Sequence, residues 1–143
     1  MLRNAELKDM KKIIKWRNDP VTRSTCNNTD KMSNSEGSLW FKNILHNPNR
    51  HMFLYKEKVV LDISINGEEA EIGINVSPSY RGKGLGTKSL IELQQFVSTL
   101  KIKKLIAYIK SENIVSIKCF LKAGFKEIEN GDIKKFLYEI KGE

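Results

Sequence analysis

The feature that most constrains this chain is an alternating strand pattern that leads through a basic, glycine-rich loop into an amphipathic helix, all within residues 71–89. Ile72, Ile74 and Val76 alternate with polar residues or glycine, which predicts a strand with one apolar face. Pro78 ends that strand, because proline has no backbone N–H to donate to a sheet. The loop therefore starts at a strand end and leads directly into the next element.

The next element is predicted to be a helix of about four turns that begins near Gly86, because apolar residues recur at helical spacing. Its apolar stripe consists of Leu90, Leu93, Val97 and Leu100, widened by Ile91 and Phe96. The first backbone N–H groups of a helix have no partners within it, and its dipole is positive there. The end of this loop is therefore suited to bind an anion.

The loop itself combines glycines with cations. Its glycines are Gly82, Gly84 and Gly86, and its cations are Arg81, Lys83 and Lys88. Glycines remove the side chains that would keep phosphate oxygens away from backbone donors, and an arginine fork suits a phosphate. The glycine spacing fits neither the dinucleotide fingerprint nor the nucleoside triphosphate loop. The loop predicts a pyrophosphate site, with a merely flexible connection as the competing interpretation.

A second informative segment, residues 113–125, has the pattern of a capped helix that leads into a strand. Asn113 is a favourable N-cap, and Gly124 lies where a left-handed C-terminal cap is expected. The predicted buried face consists of Ile114, Ile117 and Leu121, with Phe125 anchoring the strand that follows. Taken alone, this is an ordinary helix, and its distance after the glycine loop makes it specific.

The loop Arg81-Gly82-Lys83-Gly84-Leu85-Gly86 resembles the acetyl-coenzyme A loop, Arg/Gln-x-x-Gly-x-Gly/Ala, of the GNAT superfamily of N-acetyltransferases. Residues 113–125 resemble its later signature, in which an Asn opens a helix that closes with Lys-x-Gly-Phe. The resemblance covers essentially the whole chain, although the N-terminal part is short and weakly patterned. It implies an α+β fold with a mixed, mostly antiparallel central sheet, flanked by helices on both faces, in a single domain over residues 1–143.

The order of predicted elements agrees with that fold. A first helix carries Leu7, Met10 and Ile14, and Ser33 with Glu36 forms a capping box that opens a second helix. Strands are predicted at 51–57, 61–66, 70–76 and 103–110, a further helix at 114–123, and a last hairpin at 125–128 and 135–140. Asn66-Gly67 supplies the turn of the central hairpin.

Length and composition limit the remaining choices. A chain of 143 residues is long enough for one well-filled core, and it contains neither an apolar run that could span a membrane nor a secretory signal. We therefore expect a cytoplasmic protein. The two cysteines and two histidines lack metal-ligand or nucleophile spacing, so no metal is expected.

The net charge of +8 indicates an anionic partner. Coenzyme A would supply that charge, and so would nucleic acid. The lysines are spread over several faces and are not interleaved with stacking aromatic residues, so nucleic acid is not the expected partner.

The resemblance implies acetyl-CoA as cosubstrate and assigns residues to it. In the family, two central strands splay apart, and backbone groups of one of them pair with the pantetheine arm and polarise the acetyl carbonyl. The implied cofactor-binding residues are Ile74, Asn75, Val76, Arg81, Gly82, Lys83, Gly84, Leu85, Gly86, Thr87, Asn113 and Ser116.

Acetyl transfer to an amine requires a base, and Glu71 is the first candidate because it lies on the polar side of the strand that leads to the splay. A solvent-exposed Glu at a hairpin end is the competing interpretation. Tyr108, on the neighbouring strand, is the second candidate, as an acid or a base. Many family members carry a Tyr where this chain has Phe120, which has no proton to donate. Tyr108, Tyr80, Ser116 or water takes that role, or the thiolate leaves unassisted.

The acceptor is indicated by residues near the N-terminus. Trp16, Arg17, Asn18, Arg23 and Trp40 are the predicted substrate-binding residues. Their context resembles two family branches, which acetylate N-terminal alanine or serine amines of ribosomal proteins, or amino-sugar nucleotides. The arginines would pair with carboxylates or phosphates, and the tryptophans would line the cleft. Core packing of both tryptophans is the competing interpretation.

Two classes of function stay open at this point. One is a catalytic N-acetyltransferase, and the other is a GNAT-shaped module or sensor that binds coenzyme A with little or no turnover. A basic nucleic-acid-binding domain is a third and weaker interpretation. The sequence leaves the acceptor and the oligomeric state open, including a homodimer.

Overall fold

A computed structural model describes residues 2–26 and 29–140. In this part of the chain, seven strands form one mixed sheet, accompanied by five α-helices. The strands are β1 (Leu2–Asn4), β2 (Arg50–Tyr55), β3 (Val59–Asn66), β4 (Glu69–Val76), β5 (Lys104–Lys110), β6 (Lys126–Glu129) and β7 (Ile133–Glu139). The helices are α1 (Met10–Arg17), α2 (Pro20–Thr25), α3 (Asn34–His46), α4 (Leu85–Val97) and α5 (Ile114–Lys122).

The strand order in the sheet is β1-β2-β3-β4-β5-β7-β6. All neighbouring pairs are antiparallel except β4 and β5, which run parallel at the centre. The crossover between these two strands contains the glycine loop and α4. The predicted α+β fold with a mixed, mostly antiparallel sheet is therefore confirmed.

Two separate cores cover the two faces of this sheet. On one face, Leu61 and Ile72 pack in a cluster with Leu90 and Leu93 of α4. On the other face, a second cluster joins α1, α3 and β2 and consists of Ala5, Ile13, Phe41, Ile44, Met52, Leu54 and Val60. Because side chains alternate along a strand, β2 and β3 contribute to both layers. Helices flank both faces, as predicted.

Several local predictions are also confirmed. Ser33 and Glu36 form the reciprocal capping box at the start of α3. Gly67 has a left-handed φ of 65° in the turn of the central hairpin. Gly124 has φ 95° directly after α5, and the side chain of Asn113 caps the start of α5 by accepting from the backbone N–H of Ser116.

The predicted apolar faces of two helices need correction. In α4, Ile91 and Phe96 are exposed, and Leu100 lies beyond the helix and is also exposed. The buried stripe instead includes two polar residues, Ser89 and Gln94. Both are satisfied by main-chain acceptors, since the Ser89 hydroxyl donates to the Gly86 carbonyl and the Gln94 amide donates to the Ala123 carbonyl, each at 2.7 Å.

In α5, Ile114 and Leu121 face solvent, whereas Phe120 is buried. The apolar residues of this short helix nearly surround it, so their spacing did not identify the inner face. Ile117 does pack against the core, as predicted.

The N-terminal region differs most from the prediction. The first helix is divided into a 3-10 turn at Leu7–Asp9 and α1. Strand β1 and helix α2 were not predicted. The start of α2 has a recognisable signal, because Asp19 caps it and Pro20 occupies its first turn. In the described part of the chain, none of the helices has the length and apolar character that crossing a membrane requires.

Candidate active site

The central strands β4 and β5 diverge after a short stretch of pairing. Their register pairs are Glu69 with Lys104, Ala70 with Leu105, and Glu71 with Ile106. Beyond Glu71, β4 stays paired with β3 up to Val76, while β5 stays paired with β7 up to Lys110. The two strands therefore open into a V, and Ile74, Asn75 and Val76 lie on its open arm. Their predicted pairing with the pantetheine arm stays a prediction.

The glycine loop, residues 81–86, connects that open arm to α4. Gly82 and Gly84 have left-handed φ values of 78° and 77°, and Gly84 is the N-cap of α4. A Cβ at either position would meet nothing within 4 Å. These two glycines are therefore required by the backbone conformation, and they leave the start of the helix uncovered for an anion.

Gly86 has a different role from the other two. A Cβ at this position would lie 2.9 Å from the Cys119 Sγ of α5 and 3.5 Å from side-chain atoms of Ile74 and Val76. Gly86 therefore permits close packing between α4, α5 and β4. From the sequence, all three glycines were expected to give phosphate oxygens access to backbone donors. In the structure, Gly86 instead serves helix packing.

Arg81 does not extend from the loop into open space. Its Nη1 and Nη2 donate to Asp19 Oδ2 at 3.0 Å and to Thr22 Oγ1 at 2.7 Å, and its Nε donates to the Val76 carbonyl at 3.2 Å. Burial opposes ionisation of Asp19, but hydrogen bonds from Arg81 and from the Thr22 amide outweigh it and lower the pKa of Asp19. The guanidinium thus connects the loop and β4 to α2.

Lysines supply the more accessible positive charge near the loop. Lys83 Nζ and Lys58 Nζ lie over the ring of Tyr80, at 5.5 Å and 4.5 Å from its centroid. Lys58 was not predicted, because it belongs to the turn before β3 and is remote from the loop in sequence.

The start of α4 packs against the middle of α5. Thr87 Oγ1 is 3.6 Å from Cys119 Sγ, and burial raises the pKa of the Cys119 thiol. Cys119 is thus a packing residue rather than a reactive thiolate. The Asn113 side chain is engaged in capping α5 through the Ser116 amide at 3.4 Å. The predicted cofactor roles of Thr87, Asn113 and Ser116 stay predictions.

Two adjoining cavities lie on the face of the sheet opposite α4, and together they are called the acceptor cleft below. Their volumes are about 310 Å³ and about 600 Å³. Residues that line both are Thr25, Cys26, Asp62 and Gly73. Because Gly73 has no side chain and a Cβ there would meet nothing within 4 Å, the floor of the cleft over β4 is open.

The two predicted catalytic residues line the larger cavity together. Glu71 occupies the last paired position before β4 and β5 diverge, and Tyr108 lies on the arm of β5. The Tyr108 side chain is half exposed, with Lys135 Nζ 5.7 Å from its ring centroid. The structure therefore places a carboxylate and a phenol in one cavity, although their catalytic roles stay predictions.

Phe120, at the position of the family's tyrosine, is 2% exposed and packs edge-to-face on Phe125 with ring centroids 4.9 Å apart. It is a core residue that gives no proton to a leaving group. Tyr80, one of the alternatives, lies in the 3-10 turn Pro78–Tyr80 that precedes the glycine loop.

The predicted acceptor residues divide into two groups. Arg17 and Trp40 line the smaller cavity, while Trp16 and Trp40 both pack against the second core. Asn18 instead exchanges two hydrogen bonds with the backbone of Met32, at 2.8 Å and 3.0 Å. Arg23 donates to the carbonyls of Asn18 and Thr29. Asn18 and Arg23 therefore support the segment after α2, and their predicted contact with the acceptor stays a prediction.

Asp62 is the residue of the cleft that the sequence analysis missed. It lies on the central strand β3 and lines both cavities, and its Oδ2 accepts from Arg50 Nη2 at 2.7 Å. Burial raises the pKa of Asp62, and Arg50 opposes that change. The signal was present, because an acid in the middle of a central strand indicates a polar space under the covering helices.

Comparison with known proteins gives a consistent result. The family described as "Acetyltransferase (GNAT) domain" matches residues 1–126. Among curated proteins, YwnH of Bacillus subtilis (strain 168), named "Putative phosphinothricin acetyltransferase", is 28% identical over 138 residues, which covers 88% of this chain and 83% of that protein.

Solved structures share the fold at lower sequence identity. Spermidine N-acetyltransferase from Vibrio cholerae, in complex with CoA and spermine, superposes with a TM-score of 0.87 at 19% identity and covers 98% of this chain and 95% of that one. The aminoglycoside acetyltransferase AAC(6')-Ib, in complex with coenzyme A and kanamycin, gives a TM-score of 0.82 at 16% identity and covers 97% and 94%.

Proposed function

Because the chain belongs to the GNAT acetyltransferase family, we propose that it transfers an acetyl group from acetyl-CoA to a primary amine held in the acceptor cleft. One observation carries this proposal. The glycine loop at the start of α4 adjoins the open arm of β4, and the acceptor cleft lies along the same arm. A site for the diphosphate, a strand edge for the pantetheine arm and a cavity for the amine thus meet where β4 and β5 separate.

The loop and the strand edge would bind different parts of acetyl-CoA. The uncovered start of α4, together with the backbone of residues 82–87, would bind the diphosphate. Residues 74–76 border the gap left by β5, and the backbone groups among them that do not pair with β3 would pair with the pantetheine arm as an added strand does. An N–H group there would stabilise the negative charge that develops on the thioester oxygen.

Glu71 is the proposed base. It would take a proton from the acceptor ammonium, directly or through a water, so that the amine nitrogen can attack the thioester carbon. A carbon–nitrogen bond forms, the second proton of the nitrogen passes to water, and the carbon–sulfur bond breaks with its electron pair going to sulfur. Because a thiol of pKa about 8.5 is a fair leaving group, this step tolerates a phenylalanine at position 120. Tyr108, in the same cavity, is the proposed proton donor to the sulfur.

The proposed acceptor class rests on the cleft and on the residues from the N-terminal part of the chain that line it. Arg17 and Trp40 lie in the smaller cavity and would bind an anionic or ring-shaped part of the acceptor. This supports the two classes predicted from sequence, a ribosomal-protein N-terminal amine and an amino-sugar nucleotide. The named ligands of the similar structures, spermine and kanamycin, are amines of other classes and belong in the same test.

The test combines a titration with a product assay. Calorimetry with acetyl-CoA measures cofactor binding by the full chain. Mass spectrometry then follows acetylation of peptides that begin with alanine or serine, an amino-sugar nucleotide, spermine, kanamycin and phosphinothricin. We expect binding of acetyl-CoA and a mass increase of one acetyl group on at least one amine.

The same experiment decides between turnover and binding alone. A chain that binds acetyl-CoA but acetylates none of these amines would favour the alternative, a coenzyme A-binding module or sensor. Absence of acetyl-CoA binding would overturn both. Binding of RNA that weakens steeply with salt and is not displaced by acetyl-CoA would favour a nucleic-acid-binding domain instead.

A further inference from the structure

Helix α2 is attached at its start to the strand and the loop that bind the cofactor in the proposed function. The hydroxyl of Thr22, a buried residue, accepts from Arg81 Nη2 at 2.7 Å and donates to Asn75 Oδ1 at 3.1 Å. Asp19, the N-cap of α2, accepts from Arg81 Nη1 at 3.0 Å. Thr22 thus joins α2 to the glycine loop and to the open arm of β4 through a single hydroxyl.

The other end of α2 is attached to β5. Lys110, the last residue of that strand, donates from Nζ to the carbonyls of Ser24 and Cys26, at 3.1 Å and 2.8 Å. A cation that binds the last carbonyls of a helix also interacts favourably with its dipole. Helix α2 therefore bridges the two arms of the V.

The same helix forms a wall of the acceptor cleft. Thr22, Thr25 and Cys26 line the smaller cavity, and the latter two also line the larger one. Within α2, the Thr25 hydroxyl donates to the Thr22 carbonyl, so the turn moves as one piece. Arg81 and Asn75 are thereby connected, through Thr22, to the wall of the cleft.

We propose that Thr22 is a positioning residue that couples the cofactor site to the acceptor cleft, so that bound acetyl-CoA orders α2 and favours binding of the acceptor. This inference rests on the proposed function, because it takes the glycine loop and β4 as the cofactor site. The Thr22 hydroxyl is engaged by Arg81 and Asn75 and is not free to bind a reactant. It acts through Arg81 and Asn75, which belong to the parts of the chain that the cofactor would hold.

The hydrogen bonds of Thr22 with Arg81 and Asn75 indicate how a bound cofactor would affect α2. When the loop and the arm of β4 are fixed by a ligand, Arg81 and Asn75 lose freedom, and the two hydrogen bonds to Thr22 gain occupancy. The wall formed by α2 then becomes ordered. An acceptor that arrives afterwards binds a preformed cleft and bears less of the ordering cost. Acetyl-CoA and the amine therefore bind cooperatively.

The experiment uses the full chain and coenzyme A itself as the probe. Hydrogen exchange of the peptide that covers residues 20–26 is measured with and without saturating coenzyme A. The test variant is Thr22→Val, which keeps the shape and removes the hydroxyl, and Thr22→Ser is the rescue variant. Ser24→Ala is the matched control, because that exposed hydroxyl donates only within α2, to the Val21 carbonyl.

We expect coenzyme A to slow exchange of α2 in the wild type, in Thr22→Ser and in Ser24→Ala. In Thr22→Val, this protection should fall by about 3- to 10-fold, the range that loss of a hydrogen bond gives. With an amine that the wild type acetylates, Thr22→Val should raise the acceptor KM by a similar factor and leave the acetyl-CoA KM unchanged. If Thr22→Val lowers the folded fraction, Thr22→Ala gives the same comparison.

Two outcomes would overturn the inference while the proposed function stands. One is that coenzyme A binds by calorimetry and exchange of α2 does not change in the wild type. The other is that Thr22→Val responds to coenzyme A as fully as the wild type does. Failure of the wild type to bind coenzyme A is a separate result that overturns the proposed function and this inference with it.

Discussion

Gly86 of α4 lies against Cys119 of α5 so closely that a Cβ at position 86 would stand 2.9 Å from the Cys119 Sγ. Gly86→Ala should therefore destabilise the protein by about 1–3 kcal/mol, the usual cost of overpacking a core. Urea unfolding measures this change. Because Ile74 and Val76 would be at 3.5 Å, an ordinary contact distance, the clash is specific to the sulfur.

A double-mutant cycle gives the control for that prediction. Cys119→Ala removes the sulfur, so the double variant should lose less stability than the sum of the two single losses. Strict additivity of the two losses would show that the cost of Gly86→Ala lies elsewhere, for example in the conformation of the first turn of α4.

Gly84 offers a test of the cofactor loop that separates backbone strain from binding. Its φ of 77° disfavours any residue with a Cβ, and so does the φ of 65° at Gly67 in the hairpin turn, while both positions face open space. Gly84→Val and Gly67→Val should therefore lose comparable stability, about 1–2 kcal/mol. Gly84→Val alone should weaken acetyl-CoA binding, by at least about tenfold if even one backbone contact to the diphosphate is lost.

Calorimetric titration of both variants decides this prediction. Equal weakening by Gly67→Val would mean that general instability, and not the loop, lowers the affinity. Unchanged affinity in Gly84→Val would remove the glycine loop from the cofactor site.

The central part of the fold could be predicted from sequence because its signals are local. Alternation in β3 and β4, the turn at Gly67 and the capping box at Ser33 each involve neighbouring residues. Helix α2 could not be found by periodicity, since its six residues make fewer than two turns. The buried face of α5 was misassigned because Phe120 and Leu121 are adjacent apolar residues, and only packing decides which of them turns inward.

Those parts of the candidate site that lie within one continuous segment could be predicted from the sequence. The order of residues 81–86 was enough to indicate the loop, and the family resemblance indicated the diverging strands. Contacts between segments that are distant in the chain could not be predicted from the sequence. Nothing in the sequence links Arg81 to Asp19, or Lys110 to the end of α2, so the role predicted for Arg81 could not include the first contact and no role was predicted for Lys110.

Arg3 joins the N-terminal strand to two carboxylates, and this should make stability depend on pH. It contacts Asp9 through two hydrogen bonds of 2.7 Å and 2.8 Å, and Glu57 through two of 2.6 Å and 2.7 Å. These contacts lower the pKa of Asp9 and of Glu57 to about 2 each. Because both values lie below those of the unfolded chain, the stabilisation is present above about pH 4.5 and is lost as the pH falls towards 2.

Arg3→Gln should therefore lose about 2 kcal/mol at pH 7, mostly through the buried Asp9, and much less at pH 2, where both carboxyls are partly protonated. Urea unfolding at several pH values measures the difference. Glu57→Gln should lose less than about 1 kcal/mol, because exposed ion pairs contribute little. Lys103→Gln, which breaks an exposed pair with Glu68, is the control. A loss in Arg3→Gln that is equal at pH 7 and pH 2 would contradict the prediction.

Glu71 can be tested against a carboxylate on the same strand. Glu71→Gln should lower kcat by about 10²-fold or more and leave acetyl-CoA affinity unchanged, because a general base contributes that much. Glu69 lies two residues earlier on the same face of β4 and does not line the larger cavity, so Glu69→Gln should keep wild-type kcat. Equal kcat in the two variants would remove Glu71 from the mechanism.

Asp62 should reveal a trade between stability and function. Burial raises its pKa above that of the unfolded chain, so ionisation favours unfolding once the pH exceeds the unfolded value of about 3.9. Asp62→Asn should therefore raise the melting temperature at pH 7, and this gain should disappear below pH 4. Asp132→Asn, an exposed acid beyond β6, should give no such pH-dependent gain.

Function should change in the opposite direction in the same variant. Asp62 lines both cavities, so a carboxylate that costs stability there is expected to bind the acceptor ammonium. Asp62→Asn should raise the KM of the acceptor amine by about tenfold, as the loss of a charged hydrogen bond implies, and leave acetyl-CoA binding unchanged. A variant that is more stable and equally active would show that the Arg50–Asp62 pair is a structural feature of the sheet, with no part in acceptor binding.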